Sequence, residues 1–148
     1  MALIYLTLSA ILKMSNTMND EKFLYAIRGI CMKVHRELGC GLLEKTYHLV
    51  LVHALRKAGY DVRTEVPIDI RYDGDEIKCA FRADIIVYNR LIIELKAVDE
   101  LQKIHHLQLS SYMQLTDMPL GLLVNFHEQN LLHGMFTTTL DRLKSLYR

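Results

Sequence analysis

Arg82-Ala83-Asp84-Ile85-Ile86-Val87, followed after a short turn by Leu91-Ile92-Ile93-Glu94-Leu95-Lys96-Ala97, decides how this chain is read. Both segments are short, rich in β-branched residues and almost wholly apolar, the signature of buried strands. Yet they carry an acid, then an acid and a lysine. A buried charge without a partner costs several kcal/mol, on the order of. Charges held in such strands therefore suggest a site that uses them, most simply around a hard cation. Glu94 and Lys96 are two apart, so both point to one face of their strand, and Leu91, Ile93 and Leu95 take the other. Ile85 and Val87 are assigned to the core face together with Phe81, which leaves Asp84 on a polar face. Asp84 reaches Glu94 only if the hairpin loop has an odd length centred near Asn89, or contains a bulge; a two-residue turn at Asn89-Arg90 would put the two acids on opposite faces. The competing reading is a surface charge pair on an edge strand.

Outward from this pair, the chain reads as one domain. It has 148 residues, 51% of them hydrophobic, enough for one core without disulfides or structural metal. A formal net charge of +1 excludes the strongly basic balance of a protein that coats nucleic acid, so any such binding needs a local patch. Three cysteines, an odd number and with no CxxC pair, favour a reducing cytoplasm. Residues 2–12 are apolar but too short to span a bilayer, and Lys13 follows rather than precedes them, unlike a signal peptide. Residues 1–18 are read as an extension, with Met14 and Met18 as later starts, and residues 19–148 as the domain.

Apolar spacings of three and four predict a helix over 20–38, ended by Gly39-Cys40-Gly41, and a second over 42–58, ended by Gly59. Strict alternation at Val66, Ile68 and Ile70 and a turn at Asp73-Gly74 predict a hairpin pairing Ile70 with Ile77, Ile68 with Cys79 and Val66 with Phe81. A third strand over 91–97, a helix over 101–115, a strand over 120–126 and a short helix over 139–146 complete the order α-α-β-β-β-α-β-α.

Asp84 with Glu94-Leu95-Lys96, in that order of elements, resembles the PD-(D/E)XK nuclease superfamily, and Gln108-Leu109-Ser110-Ser111-Tyr112 adds the Gln-x-x-x-Tyr pattern of RecB-like members. Gly41-Leu42-Leu43-Glu44-Lys45-Thr46-Tyr47 is similar to the signature of the GxxExxY branch, with Cys40 and Asn89 as small departures. The resemblance implies an α/β fold with a restriction-endonuclease-like core (α-β-β-β-α-β), a mixed central sheet and flanking helices. It implies a nuclease that hydrolyses phosphodiester bonds in DNA with Mg²⁺ or Mn²⁺. Asp84 and Glu94 would hold the metal, with the Leu95 carbonyl as a further ligand. Glu44 would assist, Lys96 would orient water or neutralise charge, and Gln108 and Tyr112 would support substrate. The alternatives are an RNA nuclease and a non-catalytic nucleic-acid-binding or adaptor protein on the same fold. Specificity would come from nucleic-acid shape or ends, or from a partner, a second copy included.

The remaining candidates have ordinary readings. Cys31 and His35, four apart, lack further zinc ligands and read as core cysteine and surface histidine. His105 reads as a solvated helix start or a phosphate contact. Tyr47 reads as core, with a hydroxyl in reach of Glu44. Arg56, Lys57, Arg63, Lys78, Arg82 and Lys103 read as scattered surface charge or a modest phosphate-facing patch.

Overall fold

The structure is a computed structural model and describes residues 18–146. These form α1 (Asp20–Leu38), α2 (Glu44–Lys57), β1 (Val62–Tyr72), β2 (Asp75–Val87), β3 (Leu91–Lys96), α3 (Lys103–Thr116), β4 (Leu120–Asn125), a 3-10 turn (Leu131–Gly134), β5 (Met135–Thr139) and α4 (Leu140–Leu146). One sheet runs in the order β1-β2-β3-β4-β5. Only β3 and β4 are parallel, joined by α3 as the crossover; the other neighbours are antiparallel. The α/β architecture is the expected one, with a fifth strand that the sequence reading missed. The reading of residues 1–18 as an extension falls almost wholly outside the described residues. Among the described residues no helix is long and apolar enough to cross a membrane.

The start of α1 is specified locally. The Asn19 side chain accepts from the Lys22 N–H at 2.9 Å, and Asp20 and Glu21 complement the helix dipole. Phe23, Ile27, Cys31 and Val34 then face the sheet. Arg90, in the β2–β3 loop, anchors this end: its guanidinium bonds Asp20 at 2.7 Å and the Met18 carbonyl at 2.6 Å, and lies over the Phe23 ring.

Both faces of the sheet are buried. α1 and α2 cover Ile85, Val87, Leu91, Ile93 and Leu95; α3 and α4 cover Ala83, Ile86, Ile92 and Leu123. α3 packs so close to β4 that a Cβ on Gly121 would meet the Met113 sulfur at 2.3 Å. β3 is therefore an inner strand apolar on both sides, which excludes the edge-strand charge pair. It also corrects the expected polar face around Asp84. Phe81 does not share a face with Ile85: it stacks on Tyr112 of α3, and Ala83 packs on that same side, whereas Ile85 and Val87 pack on the α1–α2 side. β2 thus changes faces around Asp84, opposite Glu65, which has a positive φ of 48°.

The hairpin register is also corrected. Ile70 pairs with Ile77 as expected, but Ile68 pairs with Phe81 and Val66 with Ala83. The register shifts between Ile68 and Ile70, where the Asp69 carboxylate accepts from the Cys79 N–H at 2.8 Å and Cys79 takes a positive φ of 51°. The shift is by two residues, so it preserves parity. β2 meets β3 only along Ile85–Val87, so the rest of the β1–β2 hairpin projects as a two-stranded ribbon. At its tip Asp73 and Gly74 both have positive φ, as a tight two-residue turn requires.

Candidate active site

The β2–β3 loop brings the two acids together. Val87 pairs with Leu91, leaving Tyr88-Asn89-Arg90 as a loop of odd length centred on Asn89. Tyr88 and Asn89 adopt positive φ, and the Asn89 side chain accepts from the Arg63 guanidinium. The register continues through Ile86–Ile92 and Ile85–Ile93, so the next facing pair is Asp84 and Glu94. There the backbone ladder stops and the carboxylates take over. Asp84 Oδ2 accepts from the Leu95 N–H at 2.9 Å, and the Asp84 N–H approaches Glu94 Oε1 at 3.4 Å.

Glu94 is 2% exposed. Burial first, and then the adjacent Asp84 carboxylate, push its carboxyl up to about 9. Among the described residues neither acid forms an ion pair. Two facing carboxylates without a cation are a donor set that suits a hard divalent ion, which takes one or two carboxylates and keeps several waters. A denser, ready-made cage is absent: among the described residues no three His, Cys, Asp or Glu side chains are gathered for a metal.

Glu44 opens α2, and Lys96, half-buried, closes β3. Partial burial raises the Glu44 carboxyl above its ordinary range, although the residue as a whole is exposed; the Lys96 charge pulls it back and the Asp84 charge raises it further. Lys96 also acts on Glu94 in the same downward sense. The four residues therefore share one electrostatic neighbourhood.

The loop before α2 is held by Tyr47. Its hydroxyl donates to the Gly39 carbonyl at 2.6 Å and accepts from the Leu42 N–H at 3.2 Å, and its ring stacks on Phe126. This bonding replaces the expected reach toward Glu44. Gly41 sits in that loop at a φ of +100°, a conformation that favours glycine. Tyr47→Phe should cost about 1–2 kcal/mol in urea denaturation, because it leaves the Leu42 N–H and the Gly39 carbonyl without their partner.

Two residues here were not anticipated. His48, one turn after Glu44 and so on the same face, bonds the Asp84 carbonyl through Nε2 at 3.1 Å and lies 3.9 Å from Glu65. Glu44, His48, Thr64, Glu65 and Asp84 line a cleft of about 450 Å³ between α2 and the sheet. The spacing of His48 from Glu44 was the available signal; Glu65 had none.

Gln108 and Tyr112 meet each other, with Gln108 Nε2 donating to the Tyr112 hydroxyl at 2.8 Å. They lie on the α3 side beside Phe81, and no hydrogen bond among the described residues joins them to the acids. His105 is a capping residue: its Nδ1 accepts from the Gln102 N–H. His35 bonds the Glu128 carbonyl and Cys31 is buried in the core, and among the described residues no cluster of ligands forms around them, in keeping with a core cysteine rather than a zinc site. Four of the six basic residues make separate local contacts, in keeping with scattered surface charge: Arg56 with the Val62 carbonyl, Arg63 with Asn89, Lys78 with Asp69 and Glu76, and Arg82 with the Glu65 carbonyl.

A model of the PD-(D/E)XK nuclease superfamily matches residues 21–135, which include every residue of the site described above. Among solved structures, the crystal structure of SSO0001 is similar at a TM-score of 0.50 and 27% identity, over 68% of this chain and 55% of that one. The chain thus spans little more than half the length of that protein. No curated protein matches.

Proposed function

Because this chain belongs to the PD-(D/E)XK nuclease superfamily, whose members generally use divalent metals, we propose that it hydrolyses phosphodiester bonds in DNA with Mg²⁺ or Mn²⁺ held by Asp84 and Glu94. One observation carries the reading: a buried Glu94 faces Asp84 with its carboxyl forced upward, and among the described residues neither acid has an ion pair to offset the repulsion. A carboxylate pair held at that cost to stability suits the binding of a divalent cation. The Leu95 carbonyl would be a further ligand, and Glu44, which is not gathered with the two acids, would join through a bound water.

The bound ion would supply a water of lowered pKa and charge stabilisation at a phosphoryl oxygen. Lys96, the cation in this neighbourhood, orients that water and offsets charge developing on the phosphate. Gln108 and Tyr112 support the substrate strand. At the finer level the Gly41-Glu44-Tyr47 spacing supports placement in the GxxExxY branch, with residues 19–148 as one domain working in the cytoplasm. DNA rather than RNA rests on the family resemblance.

The test combines thermal melts with a cleavage panel. Millimolar Mn²⁺ should raise the melting temperature by mass action, and single-stranded, duplex or branched DNA should be cut in Mn²⁺ and spared in chelator. A melting curve indifferent to metal would remove the metal site, and cleavage of the RNA arm alone would reassign the substrate. Nucleic-acid binding without any cleavage would favour the non-catalytic adaptor.

A further inference from the structure

Asn125 ends β4 and is fully buried; with Glu94 it is one of two buried polar or charged residues among those described. Its register partner is Lys96, the last residue of β3. Past this pair the two strands separate. The Phe126 N–H donates to the Lys96 carbonyl at 2.9 Å. The Asn125 side chain then takes over: its Nδ2 donates to the Val98 carbonyl at 2.8 Å, and its Oδ1 accepts from the Val98 N–H at 3.1 Å and the His127 N–H at 3.3 Å. One amide side chain thus imitates the next rung of the sheet and clasps the segment that follows Lys96. The turn beyond is folded tightly around the same residue, for a Cβ on Gly134 would come within 2.8 Å of the Asn125 carbonyl.

We propose that Asn125 is a positioning residue for Lys96, an inference that rests on the nuclease reading. A lysine carries its charge on a flexible four-carbon stem, so the fold controls the ammonium mainly through the backbone from which that stem departs. Lys96 stands where β3 leaves the sheet, and without a clasp its backbone could turn toward solvent. A buried amide is costly unless fully bonded, and an apolar residue could fill the same volume. The two-point bond to Val98 is what the amide adds.

The test is steady-state cleavage in Mn²⁺ by wild type, Asn125→Asp, Lys96→Arg and the double variant. Asn125→Asp keeps both acceptor contacts and turns an oxygen onto the Val98 carbonyl. Its kcat should fall about 10- to 100-fold, as a displaced catalytic group predicts. KM and Mn²⁺ affinity should stay within about twofold, because the acids lie upstream of the clasp. In the Lys96→Arg background the same change should cost less than about threefold, since the group it positions has already been altered. A folded Asn125→Asp protein with wild-type kcat overturns the inference, as does a penalty undiminished beside Lys96→Arg. If Asn125→Asp does not fold, Asn125→Ser, which keeps an acceptor without adding a charge, carries the same comparisons. Wild-type protein that cuts nothing would instead remove the nuclease reading, and this inference with it.

Discussion

Lys96→Ala should lower the cleavage rate at least about 100-fold while Mn²⁺ still binds. The substitution removes the cation of the site and leaves Asp84 and Glu94 in place, with the Asp84 carboxylate still bonded to the Leu95 N–H. Nucleic acid should bind nearly as before, because one lysine is a small part of a strand-wide contact. Single-turnover cleavage, together with calorimetric titration of Mn²⁺, separates these effects. Equal cleavage rates for wild type and Lys96→Ala, in preparations shown free of contaminating nuclease, would remove Lys96 from the reaction; nucleic-acid binding with no cleavage by either would end the nuclease assignment and leave the adaptor reading first.

Glu94→Gln should abolish metal-dependent cleavage and, in chelator, make the protein more stable. Burial and Asp84 raise the Glu94 carboxyl from 4.5 to about 9 in the folded state. A group raised on folding contributes most below its unfolded pKa, and that contribution is lost as pH rises toward the folded value. Metal-free wild type should therefore lose stability steadily between about pH 5 and pH 9. Glutamine mimics the protonated acid in shape and can donate to Asp84, so the variant should lack that slope. At pH 8 it should exceed wild type by on the order of 2 kcal/mol in chelator. Saturating Mn²⁺ should reverse the order, because only wild type retains both acids. Parallel pH slopes for the two metal-free proteins would show that Glu94 is not the strained group.

What could be read in advance was local. The α1 boundaries follow from the apolar spacing and Gly39. The condition for Asp84 and Glu94 to face each other, a loop of odd length centred near Asn89, could be stated from fifteen residues of chain, but the register of β2 on β3 is what decides it. What escaped depends on distant partners. Asp69 capping the Cys79 N–H shifts the hairpin register, a side-chain effect that alternation does not report. The change of face at Asp84 needs α3 to hold Phe81 through Tyr112. β5, Met-Phe-Thr-Thr-Thr, is five residues long and depends on β4 for its pairing. His48 and Asn125 acquire meaning only through bonds to Asp84 and Val98, remote in sequence.

The two halves of the site are also unequal in the order of folding. Asp84 and Glu94 are joined across a short local hairpin, whose closure costs little entropy and is fast. The backbone of Lys96 is settled only when β4 docks in parallel, after the chain has crossed the whole of α3. A nascent or partly unfolded chain can therefore assemble its carboxylate pair while its lysine remains unplaced. On the nuclease reading proposed above, the site would be complete only once β4 has docked, so an unfinished chain would lack the full hydrolytic set.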